Sequence, residues 1–358
     1  MSSSYDYIII GQGIAGSCLS YELIKAGKFV LVIDNEHQTS SSKVAAGLFN
    51  PIIFKFFTKS WMADELIPFA DNFFLELEKL LRKSFFSKTP IEKIFSTEYE
   101  KKMWEDKSFK NSYSSLIEQH QICNLKDTEF NAPFGSGIVK EGRKLDVPDF
   151  LSSYQNWLKT NNRIVFSSIN YDAIKIQENG VKITINDKEI ICSNIVFCEG
   201  YQVKNNPFFN WIDIIPVKGD ILEVELENHI PHTIHKSCFL LPIKKNTCWA
   251  GSTFDREYET ELPTEKGKEY IIKRLNQLLV QQYKITNHIT GIRPTVIDRR
   301  PVLGTHPKHK SLHIFNGLGS KGVMLSPYFA NHLSNFLIYN NPLNPEISLT
   351  RFPLNKPL

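Results

Sequence analysis

The run Gly11-Gln12-Gly13-Ile14-Ala15-Gly16 places three glycines where a phosphate can meet backbone amides. The first permits a tight turn, the second lets a pyrophosphate approach the main chain, and the third lets a helix touch a strand. Asp34, at the end of the next apolar run, is the residue type that accepts hydrogen bonds from a ribose. A second glycine-rich run, Gly317-Leu318-Gly319-Ser320-Lys321-Gly322, stands directly before another apolar helical pattern. Arg293 lies between them in sequence, framed by Gly291, Ile292 and Pro294. No cysteine or histidine spacing matches a metal site.

The first run is useful only if strand and helix hold it. Residues 5–10 are aromatic and β-branched and read as a strand buried on both faces. Residues 17–25 carry an apolar helical face that stops at Gly27, and 29–33 form a second strand ending at Asp34. Strand, helix, second strand and acid make a complete dinucleotide-binding unit. Alone, it does not choose between FAD and NAD.

Further along, residues 60–110 read as helical, with Leu66, Phe69, Phe73, Phe74, Leu77 and Leu80 on one face. A helix over 147–160 precedes a strand at 163–166 that returns to the nucleotide sheet. Strands at 173–177 and 181–185 flank Glu178-Asn179-Gly180, a hairpin signal. Another buried strand covers 190–197, ahead of Cys198-Glu199-Gly200. Antiparallel strands follow at 221–226, 238–242 and 248–251, then a helix at 265–282, a strand at 313–316 and a helix at 323–339.

At 358 residues, with 42% hydrophobic and 12% aromatic content, the chain can bury a core large enough for two packed domains. Its net charge of +4 lacks the basic runs of a nucleic-acid polyelectrolyte binder, so no nucleic-acid partner is expected. The six cysteines, including Cys123, are scattered in apolar strings and read as buried free thiols of a reducing compartment. No signal peptide and no membrane span are evident, so the protein reads as cytoplasmic.

Four landmarks resemble the D-amino-acid oxidase and glycine oxidase superfamily of FAD-dependent oxidoreductases. They are the N-terminal unit with Asp34, the segment from Ser40 to Gly47, Val217-Lys218-Gly219-Asp220, and the tail. The tail runs from Gly291-Ile292-Arg293-Pro294 through Asp298, Pro301 and Gly304 to the glycine run at 317–322. The resemblance spans nearly the whole chain and favours FAD over NAD. It implies an α/β fold (α+β overall), in which a Rossmann-like FAD-binding domain is interleaved with an antiparallel-sheet substrate domain. The expected FAD domain comprises residues 1–60, 144–210 and 288–358. Residues 61–143 and 211–287 form the expected substrate domain.

By that resemblance, FAD is held by Gly11, Gly13, Ile14, Ala15, Gly16 and Asp34. Small residues Ser41, Ser42, Ala45, Ala46 and Gly47 line the pyrophosphate and ring, and Ile169 and Gly200 lie beside the nucleotide. Gly317, Leu318, Gly319, Ser320, Lys321, Gly322 and Val323 turn amides and a helix dipole towards the flavin's pyrimidine edge. No cysteine sits in this tail, so the cofactor is expected to be non-covalent. Arg293 matches the arginine that pairs with a substrate carboxylate, a task suited to a fork that grips two oxygens and keeps its charge. Lys321 adds charge at the flavin edge or binds substrate. Phe239 departs from the pattern, because glycine oxidase-like members carry a tyrosine there. Tyr201, Tyr258 and His235 are candidate replacements, and His306 and His309 read as surface residues.

The implied chemistry is hydride removal from a small amine, an amino acid above all, to flavin N5, giving an imine. The alternatives are oxidation of a modified tRNA wobble uridine side chain and a flavoprotein whose FAD is not catalytic.

Overall fold

The computed structural model describes residues 4–36, 40–118, 129–178 and 180–353. Its first unit is the one the glycine run requires. Strand Ser4–Ile10 leads through Gly11 into helix α1 (Ile14–Lys25), and strand Val30–Asp34 returns parallel to the first. The helix begins at Ile14, three residues before the sequence pattern shows it, because the glycine turn itself supplies its first turn.

These strands lie within an eight-stranded sheet. Ile164–Phe166 pairs with Val30–Asp34, which pairs with Ser4–Ile10, which pairs with Lys188–Phe197. The long strand Lys188–Phe197 serves two partners in succession on its other edge. Residues 188–192 pair with the antiparallel hairpin of Gly180–Ile185 and Ile174–Gln177. Residues 195–197 pair with Leu312–Asn316, to which Val302–Thr305 is added antiparallel. Gln177 pairs with Gly180 as the hairpin predicts, although Asn179 lies outside the described residues.

Helices α1, α2 (Ala63–Leu81), α4 (Val147–Thr160) and α6 (Gly322–Tyr339) cover one face of this sheet. The opposite face buries Ile8, Ile10, Leu31, Ile195 and Phe197 against Phe209 and Trp211.

A seven-stranded sheet completes the architecture. Its order is Tyr283–Thr295, Ile215–Leu226, Thr247–Gly251, Phe239–Pro242, Thr233–His235, Ile91–Ile94 and Ser136–Val139. All its pairings are antiparallel except that between Thr233–His235 and Ile91–Ile94. Helix α5 (Glu265–Leu278) buries Ile271, Leu275 and Leu278 against it.

The region 60–110 is not helical throughout. Strands Phe86–Lys88 and Ile91–Ile94 separate α2 from α3 (Glu98–Ser108). The second strand escapes a periodicity reading because both faces are buried while its middle is charged. Glu92 is held by His232 and Ser136, and Lys93 by Glu100. Likewise α5 ends at Leu278, and the residues beyond it open the long strand Tyr283–Thr295. The five described cysteines are buried free thiols, and Cys123 lies outside the described residues. Among the described residues no helix is long and apolar enough to cross a membrane, and no His, Cys, Asp and Glu cluster could hold a metal.

Candidate functional site

One cleft of about 590 Å³ runs between the two sheets, within the ~300–1,000 Å³ usual for ligand sites. Gly11, Gly13, Ile14, Ala15 and Asp34 line it on the parallel-sheet side. Gly11 has φ +102°, and a Cβ there would stand 2.6 Å from the Cys198 carbonyl oxygen, so only glycine fits. Gly16 does not line the cleft; it lies against the Gly11 carbonyl and lets α1 close on the strand. The Asp34 carboxylate accepts the backbone N–H of Gln12 at 2.6 Å and of Glu36 at 2.8 Å, which fixes it at the strand end.

Ser41, Ser42, Ala45, Ala46 and Gly47 form another wall. Ser42 Oγ accepts the N–H of Ile14 at 3.1 Å, and Ser40 bridges to Ile292, so this segment ties α1 to the strand carrying Arg293. Ile169 and Gly200 also line the cleft, as do Leu318, Gly319, Ser320, Gly322 and Val323.

Gly317 and Lys321 are not in the lining. Gly317 packs on Val296 and Val302, and the Lys321 ammonium turns instead to Ser60 Oγ at 3.1 Å. Burial, with Arg299 and Arg300 nearby, pushes the Lys321 amine down to about 8.

Arg293 reaches the cleft from strand Tyr283–Thr295. Its guanidinium lies flat on Gly219 of the neighbouring strand, where a Cβ would stand 2.1 Å from Nη2. Nη2 donates to Ser252 Oγ at 2.8 Å and Nη1 to the Thr253 carbonyl at 3.1 Å. Both acceptors are neutral. No described carboxylate forms an ion pair with this guanidinium, whose pKa burial lowers while Asp220 opposes the shift. A mostly buried cation with unused donors facing a cleft calls for an anion.

Phe239 and Tyr201 line the same cleft, and the Tyr201 hydroxyl donates to Glu261 at 2.6 Å. Tyr258 and His235 do not line it, and the His235 ring packs on Phe54 instead. His306 is buried rather than at the surface: its ring stacks on His309 and its Nδ1 accepts the N–H groups of Lys308 and His309. Sequence reasoning missed Ser252 and Thr253, whose role depends on cross-strand contact and leaves no local signal. It also missed Glu199, a cleft carboxyl bound to Tyr171 and Asn206 and pushed up to about 7 by burial.

A family model described as FAD dependent oxidoreductase, DAO, matches residues 6–335. The chain belongs to this family. Glycine oxidase of Bacillus licheniformis is 22% identical to this DAO-family chain over 370 residues, covering 97% of this chain and 96% of that protein. The bifunctional tRNA 5-methylaminomethyl-2-thiouridine biosynthesis protein MnmC of Leptospira borgpetersenii is 23% identical over 395 residues. That match covers 95% of this chain and 58% of MnmC. The crystal structure of glycine oxidase from Geobacillus kaustophilus shares the fold, with a TM-score of 0.80, 18% identity and 99% of each chain covered.

The cofactor of the DAO family is FAD, and the cleft fits it. Helices α3, α4 and α5 are capped by Thr97, Asp146 and Thr264, and α2 carries Asp64 and Glu65 in its first turn. Only α1 and α6, of the described α-helices, have neither a side-chain cap from the N-cap residue nor an acid in the first turn, although Ser42 Oγ takes the Ile14 N–H of α1. Both begin at residues that line the cleft. Their remaining first-turn N–H groups and positive dipole ends suit an anionic, phosphate-bearing group.

Proposed function

We propose that this DAO-family protein oxidises a small amine that carries a carboxylate, an amino acid or N-substituted amino acid, by hydride transfer to FAD. The observation that carries the reading is the Arg293 guanidinium, at the cleft with two neutral protein acceptors and no ion-pair partner among the described residues. FAD, when bound, accepts the hydride. Arg293 binds the carboxylate and so fixes the Cα–H direction; orientation of this kind supplies much of the rate without a dedicated protein base. Phe239 contributes apolar surface and no hydroxyl at the cleft, so the polar grip on substrate rests on Arg293.

The relatives support this substrate class: two of them are glycine oxidases, and an iminodiacetate oxidase shares the fold. In this reading FAD is bound non-covalently by the cleft residues named above, and the protein acts in the cytoplasm. Residues 1–60, 144–210 and 288–358 form its FAD unit, and 61–143 and 211–287 its substrate unit. The eight-stranded sheet draws only on 4–34, 164–197 and 302–316, within the first unit, while strand Tyr283–Thr295 of the seven-stranded sheet crosses the boundary at 288 and joins the two units.

Arg293→Ala tests the reading. It should raise KM for carboxylated amines tenfold or more, by about 1.4 kcal/mol or more. An unchanged KM would remove Arg293 from the assigned role. The similarity to MnmC favours a second reading, in which the amine is a tRNA uridine side chain. Retention of tRNA on a filter by the holoprotein distinguishes that case.

A further inference from the structure

Both protein acceptors of Arg293 belong to the two residues that follow strand Thr247–Gly251: the Ser252 hydroxyl and the Thr253 carbonyl. What fixes that pair lies one strand away. The Thr253 hydroxyl accepts the Asp220 N–H at 2.7 Å and donates to Asp220 Oδ2 at 3.0 Å. The Thr253 N–H donates to the Asp220 carbonyl at 3.3 Å.

Asp220 in turn is 2% exposed and held on two further sides. Its Oδ1 meets His288 Nε2 at 2.9 Å. The first turn of α5 presses on Oδ2 so closely that a Cβ on Gly267 would stand 2.5 Å from it. A buried carboxylate is costly unless its hydrogen bonds are met, and here they are spent on one threonine and one histidine. With its single proton given to Oδ2 and its lone pair taken by the Asp220 N–H, the Thr253 side chain has one rotamer left. Together with the Thr253 N–H bond to the Asp220 carbonyl, these contacts anchor the residue whose carbonyl accepts from Arg293.

We propose that Asp220 and Thr253 form a clamp that holds the Arg293 guanidinium flat on Gly219 in the geometry that receives a carboxylate. Neither residue lines the cleft, so both are positioning residues. The proposal rests on the reading of Arg293 as the carboxylate site.

The test uses FAD-loaded protein titrated with propionate, a carboxylate without an amine, and with propionamide as its neutral counterpart. Perturbation of the visible flavin band reports binding. Thr253→Val keeps the side-chain shape and removes both hydroxyl bonds; Asp220→Asn removes the charge and one acceptor; Thr253→Ser restores the hydroxyl. Propionate affinity should fall about tenfold in Thr253→Val and Asp220→Asn and stay within about twofold in Thr253→Ser. Propionamide binding should not change in any variant, which separates lost positioning from general loosening.

Wild-type propionate affinity in Thr253→Val, alongside weakened binding in Arg293→Ala, overturns the clamp and leaves the Arg293 reading intact. Wild-type affinity in Arg293→Ala overturns that reading and the clamp with it. Should Thr253→Val lose its fold, Asp220→Asn takes its place, and wild-type affinity there likewise overturns the clamp.

Discussion

Arg293 depends on a neighbour with no side chain. Because the guanidinium occupies the space above Gly219, Gly219→Ala does not meet rigid backbone; it meets the far end of a flexible side chain, which swings away. The expected outcome is a protein of nearly wild-type melting temperature whose KM for carboxylated amines rises about tenfold. Unchanged KM with unchanged stability would contradict this geometry.

Glu199 makes a separate prediction. Burial raises its carboxyl from the ordinary 4.5 to about 7, so between those values the native state holds a proton that the unfolded state has lost. Stability therefore falls as pH rises through that window. Glu199→Gln, neutral throughout, should flatten the fall in the melting temperature of flavin-free protein from about pH 4.5 to about pH 7. Parallel curves for the two proteins would show that the group is not buried as described.

At the scale of elements, the two helices with neither an N-cap side chain nor a first-turn acid are the informative ones. An acid near the start of α6 would oppose the positive dipole end offered to FAD. Ser320 is exposed and lines the cleft, so Ser320→Asp adds that charge with little cost to packing. The FAD dissociation constant, from fluorescence titration of flavin-free protein, should rise about fivefold. No change would mean that the α6 N-terminus faces something else.

Elements whose code is local were legible in the sequence. The glycine turn, the helix Val147–Thr160 and the hairpin around Gly180 each follow from turn chemistry or apolar period. Ile91–Ile94 was not, because its buried Glu92 is satisfied only by Ser136 and His232, far along the chain, and its buried Lys93 by Glu100 of the following helix. Lys321 was legible as a cation beside glycines, but the direction of its side chain depends on Ser60.

Across the whole molecule, the cleft exists because two sheets from interleaved stretches of chain meet along Ser40, Ile292 and Gly291. At Gly291 a Cβ would stand 2.2 Å from Val44 Cγ2 and 3.2 Å from Ser41 Cα, so only glycine lets the strand pack this closely on the segment from Ser40 to Gly47. The family match and the shared fold agree with the expectation of a Rossmann-like unit with an antiparallel companion. The Arg293 acceptors were beyond reach for the opposite reason: Ser252, Thr253 and Asp220 become neighbours only once the antiparallel strands have paired.

The most direct test mixes the yellow holoprotein, without oxygen, with matched amines that differ only by a carboxylate, such as sarcosine and dimethylamine or glycine and methylamine. If Arg293 receives the substrate carboxylate, the visible flavin band is lost with a carboxylated member and not with its decarboxylated counterpart, a discrimination that Arg293→Ala abolishes. Equal bleaching by both members of a pair, or discrimination that survives in Arg293→Ala, would contradict it.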